Sequence, residues 1–193
     1  MIYLNDNIAD FDLEAALPLL SEQRREQTLK FKYELGRKTC AAAYLLLCEG
    51  LRKEYGITEK PLFEYGEHGK PSLVFTTHHS PLTTHHIHFN LSHCREAAIC
   101  VIAQQPVGID IESIREYKDS LARYTMNDEE LQRIASAARP DVEFTRLWTM
   151  KEAVLKHSGR GIVDDLKHVL DDTPLELTTV VDPKSRYVYS IYH

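Results

Sequence analysis

The sequence predicts an α+β fold, and three observations carry the prediction. Residues 34–55 place Tyr44, Leu47, Cys48, Leu51 and Tyr55 at helical spacing, the buried stripe of a long helix. Residues 141–158 form a second long helix, with Pro140 suited to a first turn and Gly159 supplying a left-handed stop. Short runs complete the pattern, among them Val107-Gly108-Ile109-Asp110-Ile111-Glu112, whose period of two is that of a strand. Helices combined with small, mostly antiparallel sheets are the arrangement this implies.

In chain order, Ile2–Leu4 is a short edge strand. Residues 12–17 make a turn or two of helix that Pro18 ends. Ser21 caps a polar helix running to about Phe31, which carries Arg24, Arg25 and Lys30. The long helix 34–55 follows, with Lys38 and Thr39 near its start and Gly56 at its end. Leu62–Tyr65 and Ser72–Phe75 are two strands around the turn Gly66-Glu67-His68-Gly69-Lys70-Pro71. Thr76–His88 holds His78, His79, His85, His86 and His88, but nothing in the pattern fixes them in space, so a loop is expected and no resident metal. Ile87–Leu91 is a strand with Ser92 and His93 just past its end. Ala97–Ala103 is apolar on both faces, hence a central strand.

Gln104-Gln105-Pro106 breaks the pattern and divides residues 1–105 from 106–193. The acidic strand 107–112 opens the second part. Asn127 caps a helix to about Ala137, with three acids in its first turn where the helix dipole favours them. After the helix 141–158, Leu166–Leu170, Leu175–Val181 and Tyr187–Tyr192 read as strands.

Composition narrows the partners. At 193 residues, 43% of them hydrophobic and 27% charged, the chain suits one compact unit or two small subdomains of a soluble protein. A formal net charge of −6 gives a nucleic-acid partner no electrostatic encouragement. The four cysteines (Cys40, Cys48, Cys94 and Cys100) form no C-x-x-C pair and read as reduced core residues of a cytoplasmic protein. No signal-type apolar segment follows Met1, and no apolar window is long enough to span a membrane.

The chemistry gathers at two stretches. On strand 107–112, Val107, Ile109 and Ile111 point one way, while Asp110 and Glu112 stand together on the other face. Two adjacent carboxylates raise each other's cost of ionisation unless a cation lies between them, and Mg²⁺ is typically held by such oxygens. On the second helix, Phe144, Trp148, Glu152 and Lys156 share one face. Glu152 and Lys156 also fit a solvated i,i+4 pair, worth about 0.3–0.5 kcal/mol. An apolar face that continues into a carboxylate and an ammonium suggests something polar opposite.

Gly108-Ile109-Asp110-Ile111-Glu112 followed by Trp148-Thr149-Met150-Lys151-Glu152-Ala153-Val154-Leu155-Lys156 resembles the signature of the phosphopantetheinyl transferases, in particular the single-chain Sfp type. Gly69-Lys70-Pro71 and Phe89-Asn90-Leu91-Ser92-His93 match two further motifs of that family, in order. The resemblance covers about residues 69 to 161. It implies a monomer of two similar α+β subdomains related by a pseudo-twofold axis. It implies transfer of the 4′-phosphopantetheine arm of coenzyme A to a serine of an acyl carrier protein or peptidyl carrier domain. It implies Mg²⁺, or Mn²⁺, on Asp110, Glu112 and Glu152. Glu152 is then also the general base, directly or through a water, and Lys156 meets the transferring phosphate. Lys38, Thr39, Lys70, Pro71, Ser92, His93 and Asp110 would contact coenzyme A, with Arg24 and Arg25 as weaker matches. Cys94 departs from the small polar residue usual after the histidine. Arg160 and the segment Ile114–Tyr124, with Arg115, Lys118 and Arg123, offer basic groups to an acidic carrier. The carboxylates alone also permit a Mg²⁺-dependent phosphohydrolase or nuclease, or a module that binds coenzyme A or a carrier without catalysis.

Overall fold

The computed structural model describes residues 1–75, 87–159, 161, 165–171 and 176–193. The chain opens with β1 (Ile2–Asn5) and a short helix α1 (Leu13–Ala16), capped by the Asp12 side chain on the Ala15 amide. Pro18 does not end this segment. It sits in a 3-10 turn over Leu17–Leu19, near whose start a missing N–H costs nothing. Ser21 caps α2 (Glu22–Leu29) by accepting from the Arg24 amide. The long helix α3 (Glu34–Tyr55) has the expected bounds, and Gly56 closes it at φ 67°, a conformation that glycine adopts freely. Tyr44, Leu47 and Leu51 are fully buried along it.

β2 (Leu62–Tyr65) and β3 (Pro71–Val74) pair antiparallel. β3 starts earlier than the sequence suggests, because a strand's first residue tolerates the N–H that Pro71 lacks. The histidines at 78, 79, 85 and 86 lie outside the described residues. β4 (His88–His93) runs further than expected: Ser92 and His93 belong to it, opposite Ile99 and Ala98 of β5 (Ala98–Ala103).

The remaining elements are β6 (Gly108–Ser113), α4 (Asp119–Thr125), α5 (Asp128–Ser136), α6 (Pro140–Ser158), β7 (Leu177–Val181) and β8 (Tyr187–Tyr192). α4 occupies part of the segment Ile114–Tyr124, whose basic groups include Arg123. Asn127 caps α5 with a full capping box closed by Glu130. The strand expected at Leu166–Leu170 is instead a 3-10 turn over Leu166–His168. The cause lies elsewhere in the chain: the carbonyls of Leu166 and Lys167 accept from the buried Lys151 ammonium at 2.8 and 3.1 Å, so they serve no ladder.

Two three-stranded antiparallel sheets result, ordered β1-β5-β4 and β6-β8-β7. In each, the first strand in sequence pairs with the last, and the last with the one before it. α3 covers the first sheet and α6 the second. Ile99 and Val101 of β5 share a buried cluster with Ile109 and Ile111 of β6, so the two sheets rest on common apolar ground.

β4 and β6 lie side by side along this junction in separate sheets. Side chains join them: Asn90 Oδ1 accepts from the Ile109 amide at 3.0 Å, and Ser92 Oγ from the Ile111 amide at 3.3 Å.

Candidate active site

β6 delivers the alternation its sequence promises. Ile109 and Ile111 are fully buried in the core, and Asp110 and Glu112 turn toward α6. Gly108 makes the approach possible. A Cβ at that position would lie 2.0 Å from the Ala153 carbonyl oxygen and 2.5 Å from the His157 nitrogen, both backbone atoms of α6. Only glycine lets helix and strand pack this closely.

Along α6, Phe144 is buried and stacks on Tyr117 at 4.5 Å, and Trp148 is half-buried. Glu152 and Lys156 then continue the same face into a cavity of about 340 Å³ that also takes Asp110, Glu112, Ser92 and His93. Asp110 is 3% exposed, and its two oxygens differ. Oδ1 accepts from Ser92 Oγ at 2.9 Å and pairs with Lys156 Nζ at 2.5 Å, while Oδ2 is buried with no partner among the described residues. An orphaned buried carboxylate oxygen costs about 1–3 kcal/mol, so it points to a missing ligand. Burial, and next the charge of Asp110, push the carboxyls of Glu112 and Glu152 above the usual range.

This donor set suits a hard divalent cation: three carboxylates around one cavity, one oxygen unsatisfied among the described residues, two carboxyls held back from ionising by burial and then by their neighbour. Among the described residues the three are not yet gathered into a ready-made metal cluster.

A second cavity of about 280 Å³ adjoins the first, sharing Leu91, Glu152 and Lys156, and takes in Lys70, Pro71 and Gly159. Lys70 reaches across the junction and donates to the His157 carbonyl at 2.7 Å. Its stem crosses Gly159, where a Cβ would come within 3.0 Å of it. Burial lowers the Lys70 pKa, so the ammonium is under-solvated and favours an anion. The His93 ring packs edge-on against Phe31 at 6.5 Å. Although its side chain reaches solvent, the protein crowded around it, and next the charge of Arg24 and then of Lys156, lower its pKa.

Arg24 is buried against Tyr44 and Phe63, donates to Gln27 and to the Cys40 carbonyl at 3.0 Å each, and leaves Nε without a partner. Arg25 is exposed. Lys38 and Thr39 are engaged elsewhere: Lys38 donates to the Ala9 carbonyl at 3.1 Å and pairs with Glu34, and Thr39 bonds the Gly36 carbonyl at 3.2 Å. Neither lines the two cavities. Arg160 lies outside the described residues. Lys151, next to Glu152, turns inward and pairs with Glu130 at 2.9 Å, fully buried. Asn90 was singled out by no chemical argument from the sequence. Its signals are its place in the motif Phe89–His93 and its alternation with Ser92 on one strand, with Phe89 and Leu91 on the other face.

The sequence pattern of the 4′-phosphopantetheinyl transferase superfamily matches residues 106–188. A 4′-phosphopantetheinyl transferase of Bacillus pumilus is 30% identical over 162 residues, covering 82% of this chain and 66% of that protein. One of Aneurinibacillus migulanus is 32% identical over 136 residues, 69% of this chain and 53% of that protein. The 4′-phosphopantetheinyl transferase Sfp of Bacillus subtilis strain 168 is 24% identical over 164 residues, 83% of this chain and 70% of that protein. The chain therefore spans between about half and about two thirds of the length of the curated relatives it matches.

Proposed function

Because the chain belongs to the 4′-phosphopantetheinyl transferase superfamily, we propose that it transfers the phosphopantetheine arm of coenzyme A to a serine of an acyl or peptidyl carrier protein. One observation carries the reading: a buried, unpartnered oxygen of Asp110 faces a cavity shared with Glu112, Glu152 and Lys156.

The serine oxygen forms a bond to the phosphorus that bears the pantetheine arm. The bond from that phosphorus to the bridging oxygen breaks, and adenosine 3′,5′-bisphosphate leaves. Glu152 takes the serine proton, directly or through a water. Lys156, one helical turn on, stabilises charge on the transferring phosphoryl oxygens. Mg²⁺, or Mn²⁺ in its place, would be held by Asp110, Glu112 and Glu152 and would supply charge neutralisation at the diphosphate. Lys70 in one cavity and His93 in the other would bind the phosphates of the nucleotide end, His93 by a hydrogen bond from a ring whose lowered pKa disfavours its charged form. On this reading residues 1–105 bind the nucleotide and residues 106–193 perform the chemistry.

A groove of about 530 Å³ opens from Glu112 and Trp148 past Tyr117, Leu121 and Phe144, with Arg115 and Lys118 on it. Its apolar floor suits the pantetheine arm, and Arg115 and Lys118 offer an acidic carrier two cations beside the acids Glu112 and Glu116. The cytoplasm, where coenzyme A and reduced thiols are found together, is the compartment this implies.

The test is intact mass spectrometry of an apo acyl carrier protein incubated with this chain, coenzyme A and Mg²⁺. A gain of one phosphopantetheine, abolished by EDTA, is the expected result. No gain on either an acyl or a peptidyl carrier overturns the reading. Cleavage of coenzyme A without any acceptor replaces it with a hydrolase.

A further inference from the structure

The junction of β4 and β6 is built in an unusual way for two neighbouring strands. β6 is paired on one side with β8. On its other side the amides of Ile109 and Ile111 would form an open edge, but they bond Asn90 Oδ1 and Ser92 Oγ. Asn90 and Ser92 are two apart on β4, and Ile109 and Ile111 are two apart on β6, so the bonds repeat in register. Both side chains are buried, at 5% and 7% exposure. A direct ladder holds strands about 4.8 Å apart, and an inserted side chain holds them further apart.

Both cavities open along β4, and one of them is lined by β6 as well. Asn90 and Leu91 line the one that holds Lys70, and Ser92 and His93 line the one that holds Asp110 and Glu152. Ser92 does more than space the strands. Its hydroxyl donates to Asp110 Oδ1 and accepts from Lys156 Nζ at 3.1 Å, which orients Asp110 so that Oδ2 is left without a partner.

We propose that Asn90 and Ser92 are positioning residues: two side-chain spacers that replace a backbone ladder between β4 and β6 and set the width and register of the cleft. Coenzyme A, on the transferase reading on which this rests, must touch Lys70 and His93 on one side and the carboxylates on the other. A change in spacing therefore separates groups that have to act on one molecule.

The experiment combines amide hydrogen exchange with kinetics on Asn90→Leu, Asn90→Asp and Ser92→Ala, each beside the wild-type chain. Asn90→Leu should expose the Ile109 amide selectively, with the amides of β8 still protected. It should raise the KM for coenzyme A about tenfold, as misplaced binding groups do, with a smaller change in kcat. Asn90→Asp keeps an acceptor oxygen at the same reach and should restore Ile109 protection. Should Asn90→Leu fail to fold, Ser92→Ala poses the same question at the Ile111 amide. Continued protection of that amide in the variant, or lost protection with unchanged kinetics, overturns the proposal. A wild-type chain that transfers nothing, yet shows the protection pattern, fails the transferase reading instead and leaves the spacers as structural.

Discussion

At the scale of single residues, Asp110 decides most of what the site can do. Among the described residues one of its oxygens is satisfied twice and the other not at all. Lys156 pairs with Asp110 as the site stands, and on the transferase reading it turns to a phosphoryl oxygen when substrate binds. Lys156→Ala should lower kcat about 10- to 100-fold while changing the KM for coenzyme A by less than about threefold, because the lost charge matters as charge develops. Steady-state kinetics with an apo carrier protein checks this, and an unchanged kcat would confine Lys156 to holding Asp110. Asp110→Asn keeps the shape of the side chain and its contact with Ser92. It should lower transfer by at least about a hundredfold with a near-native melting curve, and retained turnover would remove Asp110 from the reaction. These groups were legible because two periodicities expose them: the period of two on β6 and the four-residue spacing on α6. Lys38 and Thr39 rested on resemblance alone, and local contacts with Ala9, Glu34 and Gly36 occupy them here.

Among elements, the pairing of α6 with β6 is the one that brings Asp110 and Glu152 into a single cavity, and Gly108 sets its distance. Gly108→Ala places a methyl group 2.0 Å from a carbonyl oxygen and 2.5 Å from a backbone nitrogen, neither of which can rotate away as a side-chain tip could. The helix has to move. Stability should fall by about 2–3 kcal/mol, the upper part of the usual overpacking range. Transfer should fall with it, since Asp110 and Glu152 lie on the two separated elements. Thermal melting and activity measured together check this, and a variant with both unchanged would show that α6 docks loosely. The helices α3 and α6 could be read from sequence because an apolar stripe, a proline start and a glycine stop are all local signals. The turn at Leu166–His168 could not be read in the same way. A strand-like sequence was overruled by Lys151, which is distant in the chain and buried with Glu130, and which takes the carbonyls of Leu166 and Lys167. The end of β4 was misplaced for a similar reason: Ser92 and His93 look like loop residues, and their pairing with β5 and bonding to β6 hold them in the strand.

At the scale of the whole molecule, the two sheets are tied at a second place, far from the cleft in sequence. Arg186, just before β8, donates to both oxygens of Asp182 at 2.9 and 3.1 Å and to the Asp6 backbone carbonyl at 3.1 Å, and it pairs with the Asp6 carboxylate just after β1. Asp182 is 5% exposed, and the Arg186 guanidinium holds its carboxyl below the usual range. A carboxyl whose folded pKa is depressed adds stability above its unfolded value of 3.8, and that stability is lost as pH falls through the lower folded value. Arg186→Met leaves Asp182 buried without its cation and frees Asp6. The variant should melt below the wild type at pH 7, and its own Asp182 should then ionise less readily than the native one. The native carboxyl protonates only at a pH lower than 3.8, and as pH falls through that lower folded value the difference between the two melting temperatures should close. Melting curves of the two proteins between pH 7 and pH 2.5 decide it. A gap that stays constant through the acid range would mean that Arg186 joins the sheets by packing, and that the ion pair with Asp182 contributes nothing to holding the cleft-bearing halves together.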